Sequence, residues 1–188
     1  MRNCMEYVLR DSKINSSLVY VSGPFDAEEI TYDTVYRSFW EEKKLWNKDS
    51  GRMYAHNIIS WHKDEEITPE EAYEFGKEFV EQWFAGFQTL MAVHVDRNHI
   101  HLHMVTNTVS YIDGHKLHTT KGELEEMKQL TNRTGCVKSG AGVYRRRVRI
   151  FMEMIWRLGT SGLGARTNTT CYYIIPRKAM LLPVHWQY

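Results

Sequence analysis

At 188 residues and 43% apolar, the chain is long enough for one domain with a real core, and no run of roughly 18 apolar residues could span a membrane. Cys4, Cys136 and Cys171 are scattered with no C-x-x-C pair, which excludes a disulfide framework and points to a reducing compartment. The start lacks a secretory leader's charged-then-apolar pattern and the net charge is only +1, so a cytoplasmic protein without a uniformly basic surface is expected.

Met5 to Leu9 opens the chain as a short apolar segment, followed by polar Arg10 to Lys13. Leu18 to Ser22 reads as a strand closed by Gly23-Pro24, a turn signal. From Asp26 to Leu45, apolar Ile30, Val35 and Phe39 and aromatic Tyr32, Tyr36 and Trp40 recur close to helical spacing. Met53 to Trp61 is a strand with Tyr54, His56, Ile58 and Ser60 on one face. Thr68-Pro69-Glu70-Glu71 starts a helix on three agreeing signals: a threonine cap, proline at the first position and glutamate three residues after the cap. Its stripe is Ala72, Phe75, Phe79, Val80 and Trp83, and Gly86 ends it. Gln88–Val95 and His99–Thr108 form a hairpin, and Val109–Ile112 with His115–His118 form another through Asp113-Gly114. Thr119 or Thr120 then caps a helix through Leu124, Met127 and Leu130. The expected class is α+β: an antiparallel sheet of about five strands, with one apolar face covered by the helices at 26–45 and 68–85 and the other face open.

The chemistry gathers in the first hairpin. A two-residue turn at Arg97-Asn98 sets His94 opposite His101 and Val93 opposite Leu102. Alternation then puts Met91, Val93, Val95, Ile100, Leu102 and Met104 on one face and His94, His101 and His103 on the other. Directly opposed residues lie about 5 Å apart and i, i+2 neighbours about 7 Å, so these three imidazoles can converge on one ion. His99 sits too far along the strand to share the ion with both 101 and 103. It is read as facing substrate or backing the ligands, and Asp96 as accepting a proton from an imidazole N–H. A solvated polar face is the plain alternative, but such faces carry Lys, Glu, Thr and Arg rather than alternating His. Imidazoles suit several transition metals, so ligand type alone does not name the ion.

His94-x-Asp96, His99-x-His101-x-His103 and Asn107 together resemble the histidine motif of plasmid and transposon relaxases, mobilisation nucleases of the HUH endonuclease class, closest to the MobA/MobL and MOB-P groups. Ser110-Tyr111-Ile112-Asp113-Gly114-His115-Lys116-Leu117-His118 is similar to the segment those proteins place after the motif, and the resemblance covers about residues 3 to 133. It implies a relaxase-like nuclease domain over 1–134 that nicks single-stranded DNA at a transfer origin (oriT) during conjugation. The partners implied are accessory relaxosome proteins and a coupling protein, and the ion is Mg²⁺ or Mn²⁺, with Zn²⁺ as a further option. Tyr7 stands where these enzymes carry the nucleophilic tyrosine, although only six residues precede it where the family places a first strand. Tyr20, Tyr32, Tyr36 and Tyr54 do not match that position. His99 or Asp96 could assist in removing the phenolic proton, and nothing in the sequence assigns that role to either. The family often has a histidine in the second strand, so His56 is a candidate to line the site, with a packing role as the alternative. His115 and His118 are expected to be exposed.

After about residue 134 the resemblance stops. Residues 1–134 hold 15 Lys and Arg against 22 Asp and Glu, whereas 135–188 hold 9 against 1, including Arg145-Arg146-Arg147. Freely chosen synonymous codons read one base out of register let residues 165–188 encode family-like text, so the tail is read as an out-of-frame product, with an Arg-rich DNA-binding tail as the rival. Two further readings follow: a truncated remnant that does not nick, and a metal-dependent hydrolase of small substrates that works without Tyr7.

Overall fold

A computed structural model of the chain describes residues 1–10, 14–61, 67–95 and 100–134, with three two-residue strands beyond them. Arg2–Val8 is helix α1, Ile14–Ser22 strand β1, Tyr32–Leu45 helix α2 and Tyr54–Trp61 strand β2. Pro69–Trp83 is helix α3, Phe87–His94 strand β3, His101–Ser110 strand β4 and Lys121–Thr134 helix α4. The short strands are β5 (Lys138–Ser139), β6 (Gly142–Val143) and β7 (Val148–Arg149). Four long strands form an antiparallel sheet in the order β1-β3-β4-β2, and β7 adds two residues to the outer edge of β2. The α+β antiparallel class is therefore the one expected. No helix among the described residues is long and apolar enough to cross a membrane.

The central hairpin has the expected register. His94 pairs with His101, Val93 with Leu102, Ala92 with His103 and Met91 with Met104. The turn itself, Asp96 to His99, lies outside the described residues. Met91, Val93, Leu102 and Met104 join Leu18, Ala55, Ile59 and Trp61 in one core, beneath the Phe75, Phe79 and Val80 face of α3. Gly76 lets α3 come this close: a Cβ there would lie 2.5 Å from Met91 Sδ and 2.7 Å from Leu102 Cδ2.

The helices occupy both faces of the sheet, where the sequence reading put α2 and α3 on one. Leu90, Ala92 and Val105 face the other way and form a second core with Met5 and Val8 of α1 and Val35 and Phe39 of α2. The physical reason is that β3 is apolar on both sides, and every residue from Phe87 to His94 is buried. The histidine face is consequently roofed along part of its length.

Helix starts follow their caps. Thr68 and Glu71 make the reciprocal capping box expected of α3, and Thr120 with Glu123 does the same for α4. Helix α2 begins six residues later than Asp26, because Thr31 and Thr34 form the box there. The second hairpin is shortened: β4 ends at Ser110, and one antiparallel bridge joins Val109 to Lys116, with Ser110 N donating to His115 O at 2.9 Å and Leu117 N to Thr108 O at 2.8 Å. Leu117 turns into the α3-side core. Trp46 packs over Gly114, whose φ is +71° and where a Cβ would fall 2.4 Å from the indole. His115 and His118 are exposed.

At the far end of the histidine face a buried polar network pins α2 to β4. Asn107 Nδ2 donates to Phe39 O at 3.2 Å and to Gln88 Oε1 at 2.9 Å, while its Oδ1 accepts from Val109 N at 3.3 Å and from Lys43 Nζ. Gln88 Nε2 in turn donates to Pro24 O at 2.7 Å and Ser38 Oγ at 2.8 Å. Lys43 is fully buried, and burial, aided by Lys116 and Arg52, lowers its pKa to about 7. The unfolded chain therefore holds a proton that the fold releases between about pH 7 and the ordinary lysine range, so stability rises with pH across that window. Urea unfolding at pH 7 and pH 9 should show a gain of about 2 kcal/mol at the higher pH, at about 1.4 kcal/mol per pKa unit. Lys43→Met should flatten that gain, and an equal gain in the variant would assign the pH dependence elsewhere.

Candidate active site

Alternation on two neighbouring strands fixes the site. His94 at the end of β3 and His101 and His103 at the start of β4 share a face, and β2 adds His56 to it. The His94 and His103 ring centres are 4.1 Å apart, and those of His101 and His103 6.3 Å. His56 stacks on His103 at 5.2 Å, with its Nε2 3.0 Å from His103 Nδ1. His94 is 1% exposed, and its Nε2 lies 2.8 Å from the carbonyl of Val8 in α1. A carbonyl only accepts, so His94 Nε2 carries the proton and the ring's lone pair is on Nδ1. Burial, with His94 adding a smaller push, lowers the pKa of His56 to about 4, which keeps that ring neutral near pH 7.

Helix α1 brings Tyr7 to the same place. Its half-buried ring lies 5.8 Å from the rings of both His94 and His103. The Arg10 guanidinium sits 5.8 Å above the Tyr7 ring. The other tyrosines lie elsewhere. Tyr20 packs on the α3 side, Tyr32 and Tyr36 lie on α2, and Tyr54 is buried opposite Asn107 at the far end of the face. Of the residues assigned from sequence, Tyr7, His94, His101 and His103 stand together, while Asp96 and His99 lie outside the described residues. Arg10 was not singled out in the sequence, although three residues on from Tyr7 is a spacing that brings side chains together at a helix end.

A family model for the relaxase MobA/VirD2-like nuclease domain matches residues 7–137. The chain belongs to this relaxase family. Within it, the chain is 30% identical to Protein rlx of Staphylococcus aureus over 114 residues, covering 61% of this chain and 36% of that protein. It is 32% identical over 68 residues to the group II intron-interrupted relaxase LtrB of Lactococcus lactis subsp. cremoris (strain MG1363), covering 36% of this chain and 12% of that protein. The chain thus spans about a third of the length of the Staphylococcus relatives it matches and much less of LtrB.

The relaxase domain's donor chemistry fits a divalent ion. Three imidazoles share one face, and the backbone carbonyl on His94 is the kind of partner that holds a ligating ring in one tautomer. The rings as placed do not converge, however. Among the described residues no three His, Cys, Asp or Glu side chains stand ready to hold an ion together. His94 turns toward Val8 and His103 toward His56, so seating an ion requires these rings to rotate.

Proposed function

We propose that this relaxase domain nicks single-stranded DNA at a transfer origin by transesterification on Tyr7, for conjugative mobilisation. The observation that carries the reading is Tyr7 lying 5.8 Å from two of the three clustered imidazoles. In the reaction, Tyr7 Oη forms a bond to the scissile phosphorus as the bond from phosphorus to the 3′ oxygen breaks. The products are a 5′-phosphotyrosyl protein and a free 3′-hydroxyl. The phenolic proton passes to Asp96 or His99, and a proton returns to the departing 3′ oxygen. Arg10, over the Tyr7 ring, supplies positive charge where a phosphate must approach. His94, His101 and His103 would hold a divalent ion, Mg²⁺ or Mn²⁺, whose chemistry would be to withdraw charge from the reacting phosphate. Accessory relaxosome proteins and a coupling protein complete the partners of the whole protein, and the setting is cytoplasmic.

The test is incubation with single strands carrying candidate origins and Mn²⁺, followed by denaturing electrophoresis. A DNA-linked protein band is expected, and EDTA should abolish it. No band with any origin would favour a second reading, a remnant that does not nick. That reading is favoured by the unconverged rings and by the unfamiliar text after residue 134, read here as out-of-frame. Sequencing the gene and finding no family-like text in another frame would remove the frameshift.

A further inference from the structure

We infer that the cleft between α1 and the outer stripe of α2 is a stacking subsite for one unpaired base of the DNA strand, close to the phosphate that meets Tyr7. The inference rests on the nicking reading above and names a second point of contact for its substrate. Helix α2 turns Val35, Phe39 and Lys43 inward, and these are its buried residues. Tyr36, Trp40 and Lys44 form the adjacent stripe at four-residue spacing. The Tyr36 and Trp40 rings stack with centres 6.2 Å apart and planes 12° from parallel, and the Lys44 ammonium lies 5.9 Å from the Trp40 ring. Both rings stay half-buried although the helix already has its core stripe. They line a cleft of about 300 Å³ together with Arg2 and Asn3 of α1 and with Met53 and Tyr54, where β2 begins.

Aromatic faces beside a cleft, with cations at its rim, are what an unpaired base needs: the rings stack on it and the cations draw in the flanking phosphates. A duplex has no free base face to offer, so the occupant is single-stranded. Arg2 pairs with Asp33 at 2.7 Å, which matches that carboxylate's charge, and Lys44, exposed at the other end of the stripe, supplies positive charge. Exposed Asn3 offers an amide donor and acceptor to the edge of the base. Stacking accepts every base, so the subsite gives grip and register rather than choice of sequence. Its position suits that task. Asn3 and Tyr7 stand four residues apart on α1, hence on one face and about 6 Å apart along the helix. A strand whose phosphate lies at Tyr7 therefore brings a neighbouring base to the mouth of the cleft.

The test is binding of the full chain to a fluorescein-labelled oligothymidylate at low salt, read by fluorescence anisotropy. EDTA in the buffer keeps ions and nicking out of the readout. A strand of the same length built only of abasic sugar-phosphates is the reference. Trp40→Ala should weaken oligothymidylate binding by about 5- to 100-fold and leave the abasic strand within about two-fold. Trp40→Phe keeps a ring and should bind oligothymidylate within a few-fold of the parent. Equal affinity of the parent for the two strands would overturn the inference whatever the variants do. So would parent-like oligothymidylate binding by Trp40→Ala. A Trp40→Ala loss shared equally by both strands would mean that the ring serves the fold alone, and would overturn it too. Loss confined to the base-bearing strand, with no covalent band from the parent in the nicking assay, would leave the subsite standing while the nicking reading fell.

Discussion

Tyr7→Phe should abolish the covalent protein–DNA band while leaving the fold in place. The ring would still pack against His94 and His103, so unfolding by urea should change little. Removing the attacking oxygen of a nucleophilic mechanism costs on the order of 10³-fold or more, so the adduct should fall below detection. Tyr32→Phe, on α2, serves as a control and should retain the adduct. An adduct that survives Tyr7→Phe would place the nucleophile elsewhere. Turnover of a small phosphodiester that survives it, with no adduct from the parent, would support the small-substrate hydrolase.

Asn107→Leu should be among the most destabilising single changes in the described part of the chain. The side chain is fully buried and satisfies Phe39 O, Gln88 Oε1, Val109 N and Lys43 Nζ together. Leucine has similar bulk but leaves at least two of those groups unpaired in the interior, at roughly 1–3 kcal/mol each. A loss of about 3–5 kcal/mol in urea unfolding is expected, against well under 1 kcal/mol for an exposed control such as Glu41→Gln. A loss below about 1 kcal/mol would show that water or neighbouring groups replace these bonds. Asn107, the last residue of the histidine motif, thus has a structural role in this network. It anchors α2 over the sheet, some distance along the face from the histidines.

The hairpin register was legible because period-2 alternation leaves no choice: a slip of one residue would put His101 and His103 into the apolar core. Helix α3 was legible because Thr68, Pro69 and Glu71 agree. The start of α2 was missed because its box closes with Thr34, where glutamate or glutamine is the usual signal. The roof over the histidine face was missed although the signal was present. Leu90 and Ala92 are as apolar as Met91 and Val93, and continuous apolar text marks a strand covered on both sides. The second hairpin was legible only in part: the bridge between Val109 and Lys116 is made, while Leu117 is buried in the α3-side core and Trp46 packs over Gly114. Which residues cluster at the site could be read from spacing. The way each ring turns, toward Val8 or toward His56, depends on groups more than forty positions away in the chain.

The grip of His94 on the carbonyl of Val8 has a mechanical consequence. That carbonyl belongs to the residue next to Tyr7, so the proposed ligand and the proposed nucleophile are joined by a single hydrogen bond and one peptide step. A tug along a DNA strand joined to the tyrosine would be felt first by that imidazole. A rotation of the imidazole would likewise shift the foot of the tyrosine. On the proposed function, holding an ion and presenting the hydroxyl would be two ends of one lever.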